Sequence, residues 1–232
     1  MIVVGRFTMG KGEQRRRDKA RAIANADERR RVVLRVYQGC EAAGGRKLAE
    51  LAATGVTPSC TAGCSHCCSL EVPMSRAEGE TLVAWLVEQR SAEELDAIRA
   101  RLRGWLVWYR TEFPRLLAAG MTRVDAFFLH GPPCALLEDS RCSAYPVRPV
   151  ACRNHYVSSP ASVCDPAVGN GEPDVMLAVA AATYDHVAEI RRIVEQHGGN
   201  YLASSHLVAE WLAHLLDVEL EPWRGAERPA DR

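Results

Sequence analysis

Nine cysteines in a chain of 232 residues are where chemistry is most concentrated, and eight of them fall into two groups. The first group is Cys60-Thr-Ala-Gly-Cys64-Ser-His-Cys67-Cys68. Gly63 lets the backbone take a positive φ and turn successive thiols toward one point. Thiols two or three residues apart are what wraps a loop around a thiophilic metal or an iron–sulfur cluster. The second group, Cys134, Cys142, Cys152 and Cys164, lies in a stretch that carries six prolines up to Pro166 and few helix formers. Neither group is a zinc finger alone, because no matching pair answers the C-x2-C of the first. Together they supply eight ligands. A stretch so poor in helix formers can hardly bury a conventional core, so a metal is expected to fix it. Adjacent side chains such as Cys67 and Cys68 diverge on a strand or a helix. They are therefore expected on different metal atoms, in a centre with more than one. Cys40 stands apart on the first helix and reads as a small buried hydrophobe.

The spacing Cys60-x3-Cys64-x2-Cys67 is also used by radical S-adenosylmethionine enzymes. Those place it on a β/α barrel, and no alternation of strands and helices follows it here. The fuller pattern is Cys60-x3-Cys64-Ser-His-Cys67-Cys68, then Pro133-Cys134-Ala-Leu-Leu, then Cys142-Ser-Ala-Tyr145-x2-Arg148-Pro149-x2-Cys152-Arg153. It closely resembles the YkgJ-like cysteine-cluster family over roughly residues 58–165. That family is described as zinc- or iron-chelating and is similar to the metal-binding part of flagellin lysine methylases, which are associated with an iron–sulfur cluster. The resemblance implies metal binding strongly and an enzyme only weakly. The cofactor expected is an iron–sulfur cluster of the 4Fe-4S type or multinuclear iron, with zinc as the alternative. An iron–sulfur oxidoreductase fits this reading. Methyl transfer does not, because no glycine-rich strand–turn–helix unit for S-adenosylmethionine is present.

Arg148 and Arg153 match positions of the family motif. They either contact the cofactor, offsetting thiolate charge or bonding cluster sulfur, or form a salt bridge that fixes the loop. Tyr145 is expected to pack in the turn. His66 and His155 sit beside cysteines and are candidate ligands, although eight thiols already suffice; His130 is a weaker candidate at the rim. His186, His197, His206 and His214 fall on expected helices and read as ordinary core or surface residues.

The elements that must position these thiols are mostly helical. Glu13 to Tyr37 reads as a helix, with Arg15–Arg17 and Arg29–Arg31 on a solvated face and a break at Gly44-Gly45. Lys47 to Ala53 is a further short helix. Ser75 with Glu78 and Ser91 with Glu94 are capping-box patterns. The first opens a helix through Leu82, Trp85, Leu86 and Gln89. The second opens one with a stripe of Leu95, Ile98, Leu102, Trp105, Leu106, Tyr109 and Phe113, ended by Pro114 and Gly120. That stripe reads as core. A short hairpin is expected near residues 134–145. Glu172 to His197 reads as one helix with Met176, Val179, Thr183, Val187, Ile190 and Val194 inward. A last helix runs from about Tyr201 to Leu216 with Leu202, Val208, Trp211, Leu212 and Leu215 inward. The fold expected is mainly α, a helical bundle with a cysteine-rich, loop-dominated metal-binding insert. Its divisions are 1–57, a helical extension; 58–216, the metal-binding domain on its helical scaffold; and 217–232, a polar tail.

A hydrophobic content of 47% is ample for a core. The formal net charge is zero, so no overall attraction to nucleic acid or an anionic membrane is expected. No apolar run approaches the roughly 20 residues that cross a bilayer. Ile2 to Val4 is too short for a signal peptide, and Met9 is an alternative start. The cytoplasm is the expected compartment, and nine cysteines there mean metal or redox chemistry rather than disulfides. Three functions stay open: an iron–sulfur protein in electron transfer or a redox step, a zinc-stabilised binding module, and an iron or zinc delivery protein. The partner in each is an unidentified protein or small molecule.

Overall fold

In the computed structural model, which describes residues 11–168 and 173–218, the chain opens with helix α1, Lys11–Ala53. Met9 and most of the polar tail lie outside the described residues. Arg15, Arg16 and Arg17 are exposed, as a segment without an apolar stripe requires. From Val33 onward α1 has an inner face, and Val33, Val36, Tyr37 and Cys40 are buried. Cys40 thus fills a core position. The second arginine run is not simply solvated. Arg29 bonds Glu80 at 2.7 and 3.0 Å, and Arg30 bonds Glu88 at 2.5 Å, tying α1 to α2 (Arg76–Gln89).

The expected break at Gly44-Gly45 does not occur, and Lys47–Ala53 is the end of the same helix. A helical glycine costs about 1 kcal/mol against alanine. Here packing against α6 (Leu177–Ala182) and α7 (Tyr184–Gln196) offsets it. A Cβ on Gly44 would stand 3.4 Å from Val179, and one on Gly39 would overlap the His186 ring. Close approach requires glycine at Gly39 alone; the contact at Gly44 is an ordinary one, and nothing lies within 4 Å of a Cβ on Gly45.

Both capping boxes form, at Ser75/Glu78 for α2 and at Ser91/Glu94 for α3 (Ala92–Ala118). The α3 stripe is core, with Tyr109 alone partly exposed. Pro114 does not end α3. It is exposed, so the carbonyl it leaves unpaired one turn earlier faces water. A short helix that the periodicity did not reveal, α4 (Arg123–His130), follows, and its Phe127 packs 4.9 Å from Phe113. Its signal was legible: the Thr122 hydroxyl accepts from the Asp125 N–H, an N-cap three residues ahead of an acid.

The hairpin appears as β2 (Leu137–Glu138) and β3 (Arg141–Cys142), turned through Asp139 and Ser140 at φ 47° and 59°. A second antiparallel pair joins β1 (Pro73–Met74) to β4 (His206–Leu207). The last helix, α8 (Val208–Leu215), is therefore shorter than expected, and Leu202 lies outside it, 75% exposed. The expected helix over 172–197 is divided at Thr183, whose buried hydroxyl donates to the Ala180 carbonyl. The four-residue α5 (Val150–Arg153) lies between the hairpin and these helices.

One hydrophobic cluster joins α1, α2, α3, α4, α7 and α8, so the extension expected before residue 57 shares its core with the rest. Ala135, Leu136, Ala144 and Val147 of the second cysteine segment also enter that cluster. That segment does bury apolar side chains, contrary to expectation. Among the described residues, no helix is long and apolar enough to cross a membrane.

Candidate metal centre

The first cysteine loop has no core of its own. From Leu51 to Pro73 not one residue is buried. Gly63 takes φ +92° as expected, and the Cys64 N–H closes the turn onto the Thr61 carbonyl at 3.0 Å. Cys67 and Cys68 then fall on a 3-10 turn, His66–Ser69.

What fixes this loop is the second cysteine segment, gripping it at both ends. At the front, the Ser59 N–H donates to the Val157 carbonyl at 2.8 Å and the Ser59 hydroxyl to the Ser159 carbonyl at 2.5 Å. The Val157 N–H in turn reaches the Cys60 sulfur at 3.4 Å. At the back, the Cys134 N–H donates to the Cys68 carbonyl at 2.8 Å. Gly131 packs there too: a Cβ would lie 2.4 Å from the Phe127 carbonyl oxygen and 3.0 Å from that of Ser69. Neither Ser59 nor Gly131 stands out in the sequence: Ser59 acts through partners about a hundred residues away, and Gly131 meets Ser69 as well as its near neighbour Phe127. Gly131→Ala is expected to destabilise the protein by about 1–3 kcal/mol through backbone overlap and to lower metal retention with it. Thermal midpoint and bound metal, measured together, check this; an unchanged midpoint would mean that the close approach is not needed.

The other thiols are placed by short elements. Cys134 accepts from the Leu137 N–H at 2.9 Å, and the hairpin sets Cys142 opposite Leu137. Cys152 rides on α5, whose Val150 N–H donates to the buried Glu78 carboxylate at 2.9 Å. Cys164 ends the 3-10 turn Ala161–Cys164. All nine cysteines are free thiols.

The sulfurs lie close enough to feel one another's charge. Cys60 has Cys64 and Cys67 as neighbours, and Cys164 has Cys64, Cys60 and Cys67. Cys68 has Cys67, Cys134 and Cys152, while Cys152 has Cys134, Cys142 and Cys67. Burial pushes Cys134 up to about 11 and raises Cys60, Cys142 and Cys164. Without metal these remain S–H at neutral pH, so metal binding must release protons. A hydrogen bond from Cys68 lowers Cys67 to about 7, and the same bond drives Cys68 upward. Backbone N–H groups of Leu136 and Ala144 act on the sulfurs of Cys134 and Cys142 and favour their thiolates. Among the described residues, no three ligand-type side chains converge tightly enough to hold an ion as they stand. A bound metal must draw the sulfurs in.

Arg153 is buried and bridges several parts of the fold. It donates to the Arg148 carbonyl at 2.8 Å, to the Pro146 carbonyl and to Glu41 of α1, and lies 4.0 Å over the Tyr37 ring. Arg148 stacks 3.8 Å over Tyr145 and sits 3.7 Å from Glu41. The salt-bridge role weighed for these arginines is therefore present. Their charge also reaches Cys142 and favours its thiolate. Tyr145 packs in the turn with its ring exposed. Burial lowers His155, keeping it neutral at pH 7. Neither His66, His130 nor His155 hydrogen-bonds a thiol among the described residues. His186 packs against Gly39 and His197 bonds Glu28 at 3.1 Å. His206 and His214 flank Trp211. An open depression of about 500 Å³ adjoins Cys142, lined by Glu138, Asp139, Arg141 and Ser143.

Two loop segments on a helical scaffold carry eight sulfur donors, a donor type suited to thiophilic metals. Residues 59–169 match the family model CxxCxxCC, "Putative zinc- or iron-chelating domain". Over those residues the chain is similar to that cysteine-cluster family, and metal binding is the property that the likeness supports. No curated protein and no solved structure matches the chain.

Proposed function

We propose that the thiol-rich region holds an iron–sulfur centre and that the protein acts in electron transfer or a redox step on a small molecule or protein side chain. The observation that supports this best is the first cysteine loop: none of residues 51–73 is fully buried, yet the loop is clamped at both ends by the second cysteine segment. Such a loop needs an inner ligand in place of a core. Cys60, Cys64, Cys67, Cys68, Cys134, Cys142, Cys152 and Cys164 are the residues that would hold the centre. An iron–sulfur cluster supplies one-electron chemistry at a potential set by its surroundings. The N–H groups of Val157, Leu136 and Ala144 and the charges of Arg148 and Arg153 stabilise negative charge on the sulfurs. The depression beside Cys142 is where a small substrate or a partner side chain would approach. The cytoplasm, where thiols are kept reduced, is the compartment that suits this reading.

A zinc-stabilised binding module is the second reading, favoured by the purely structural clamps at Ser59 and Gly131. Protein purified without air is expected to be brown and to contain iron with acid-labile sulfide. Colourless protein that contains zinc and no sulfide would overturn the iron reading and leave the second one standing.

A further inference from the structure

We propose that residues 13–24, the part of α1 that stands clear of the body, are an arm that binds duplex DNA through its phosphates, lying in the major groove. None of these residues belongs to the thiol-rich region, so this role holds whichever metal is native. Of the two arginine runs on α1, the fold occupies one and leaves the other free. Arg29 and Arg30 are held by Glu80 and Glu88 of α2, and Glu28 by His197 beyond the end of α7. These contacts fix the base of the helix. Beyond them every residue from Glu13 to Ala24 is exposed, over a length of about 18 Å. The arm carries five basic residues, Arg15, Arg16, Arg17, Lys19 and Arg21, against two acidic ones, Glu13 and Asp18. Since the formal net charge of the chain is zero, the remainder carries a surplus of three acids. Zero overall charge thus conceals a basic arm on an acidic body, and a polyanion is drawn to the arm alone.

Glu13 pairs with Arg17 at 3.0 Å, and Gln14 donates to Asp18 at 2.9 Å. Arg15, Arg16, Lys19 and Arg21 form no ion pair among the described residues. Arg15 with Lys19, and Arg17 with Arg21, are like charges four residues apart, which weaken a free helix. Phosphates would reverse that penalty. The placement of the charges selects the partner. Successive side chains lie about 100° apart, so Arg15 and Lys19 form one row and Arg17 and Arg21 a second, roughly 200° round the helix. Arg16 lies between the rows on one side and Asp18 between them on the other. A flat anionic surface would meet one row and leave the other idle. A groove walled by two phosphate strands meets both, with Arg16 toward its floor and Asp18 turned to solvent. The DNA major groove is about 12 Å wide and admits an α-helix. That of duplex RNA is too narrow for side chains to read. An anionic bilayer would need an apolar face on the helix, and Ile23 is the one large apolar side chain in residues 13–24.

The test is fluorescence anisotropy of the full-length protein as purified, with a labelled mixed-sequence DNA duplex of about 20 base pairs, at about 50–200 mM salt. The wild type is expected to bind, and the logarithm of its affinity to fall against the logarithm of salt with a slope of about −3.5, for four unpaired basic residues. The triple variant Arg15→Gln, Arg16→Gln, Lys19→Gln should lose affinity roughly tenfold or more and flatten the slope to about −1. Because the arm packs on nothing, that variant should keep the wild-type thermal midpoint. Arg115→Gln, at an exposed arginine of α3, should leave binding unchanged. No binding at the lowest salt, or a flat slope in the wild type, would overturn the proposal without any variant. Unchanged affinity in the triple variant would overturn it by placing the contact elsewhere. Equal affinity for an RNA duplex of the same length would overturn the groove assignment. Binding to vesicles of anionic lipid in place of DNA, lost in the triple variant, would overturn the proposal in favour of a membrane surface.

Discussion

Stripping the metal from reduced native protein is expected to open residues 51–73 to a broad-specificity serine protease, with the second cysteine segment following and the helices surviving. The order comes from burial. The first loop buries no residue and is left with its few clamping hydrogen bonds, each worth about 1 kcal/mol. The second segment keeps Ala135, Leu136, Ala144 and Val147 in the shared core, so it should resist longer. A structural thiolate site contributes on the order of 10 kcal/mol at neutral pH, far more than the clamps. Local opening should therefore become accessible without global unfolding. Limited proteolysis after chelator removal, with the cut sites mapped by mass, checks the order. Identical cleavage of the two forms would mean that the metal does not hold the loops.

The largest single-residue effect is expected at Arg153. Its guanidinium is buried, and burial followed by the nearby charge of Arg148 lowers its pKa. An arginine stays charged under that pressure where a lysine would lose its proton. Arg153→Met leaves the carbonyls of Pro146 and Arg148 without this donor and Glu41 without its closer partner. The expected cost is about 2–4 kcal/mol, or a fall in thermal midpoint of roughly 5–15 °C for a domain of this size. Because Cys152 precedes Arg153 on α5, bound metal should fall with stability. Arg153→Lys should behave like Arg153→Met, since one ammonium cannot make the same fork of bonds. Full metal loading and an unchanged midpoint in Arg153→Lys would show that charge alone suffices there.

What the sequence made legible was what short range decides. The capping boxes at Ser75 and Ser91, the α3 stripe and the hairpin near Cys142 all depend on residues within a few positions of each other. Gly44-Gly45 misled because a glycine inside a helix reads as a breaker, and the packing of α1 on α6 and α7, more than a hundred residues later, holds the helix through it. Pro114 misled for the opposite reason: its exposure makes the missing donor inexpensive. β4 was invisible because two residues of strand carry no periodicity, and its partner β1 lies far upstream. For the candidate site, the ligand residues were visible by type and spacing. Their supports were not. Glu78 announces itself as a helix cap, yet its second oxygen anchors α5 at Val150; Ser59 and Gly131 give no local sign at all.

The grip of the second cysteine segment on both ends of the first loop sets an order of events during synthesis. Cys60 to Cys68 emerge from the ribosome first, but Cys134, Val157 and Cys164 come up to roughly 100 residues later. At about 5–20 residues per second, the first four thiols wait roughly 3–13 s for the clamp at Cys134 and roughly 5–20 s for the one at Val157. No site containing both segments can close in that interval, whatever metal is at hand. Those thiols therefore depend on the reducing power of their surroundings until the chain is nearly complete, and an oxidant that acts in that window would reach them more readily than in the finished protein.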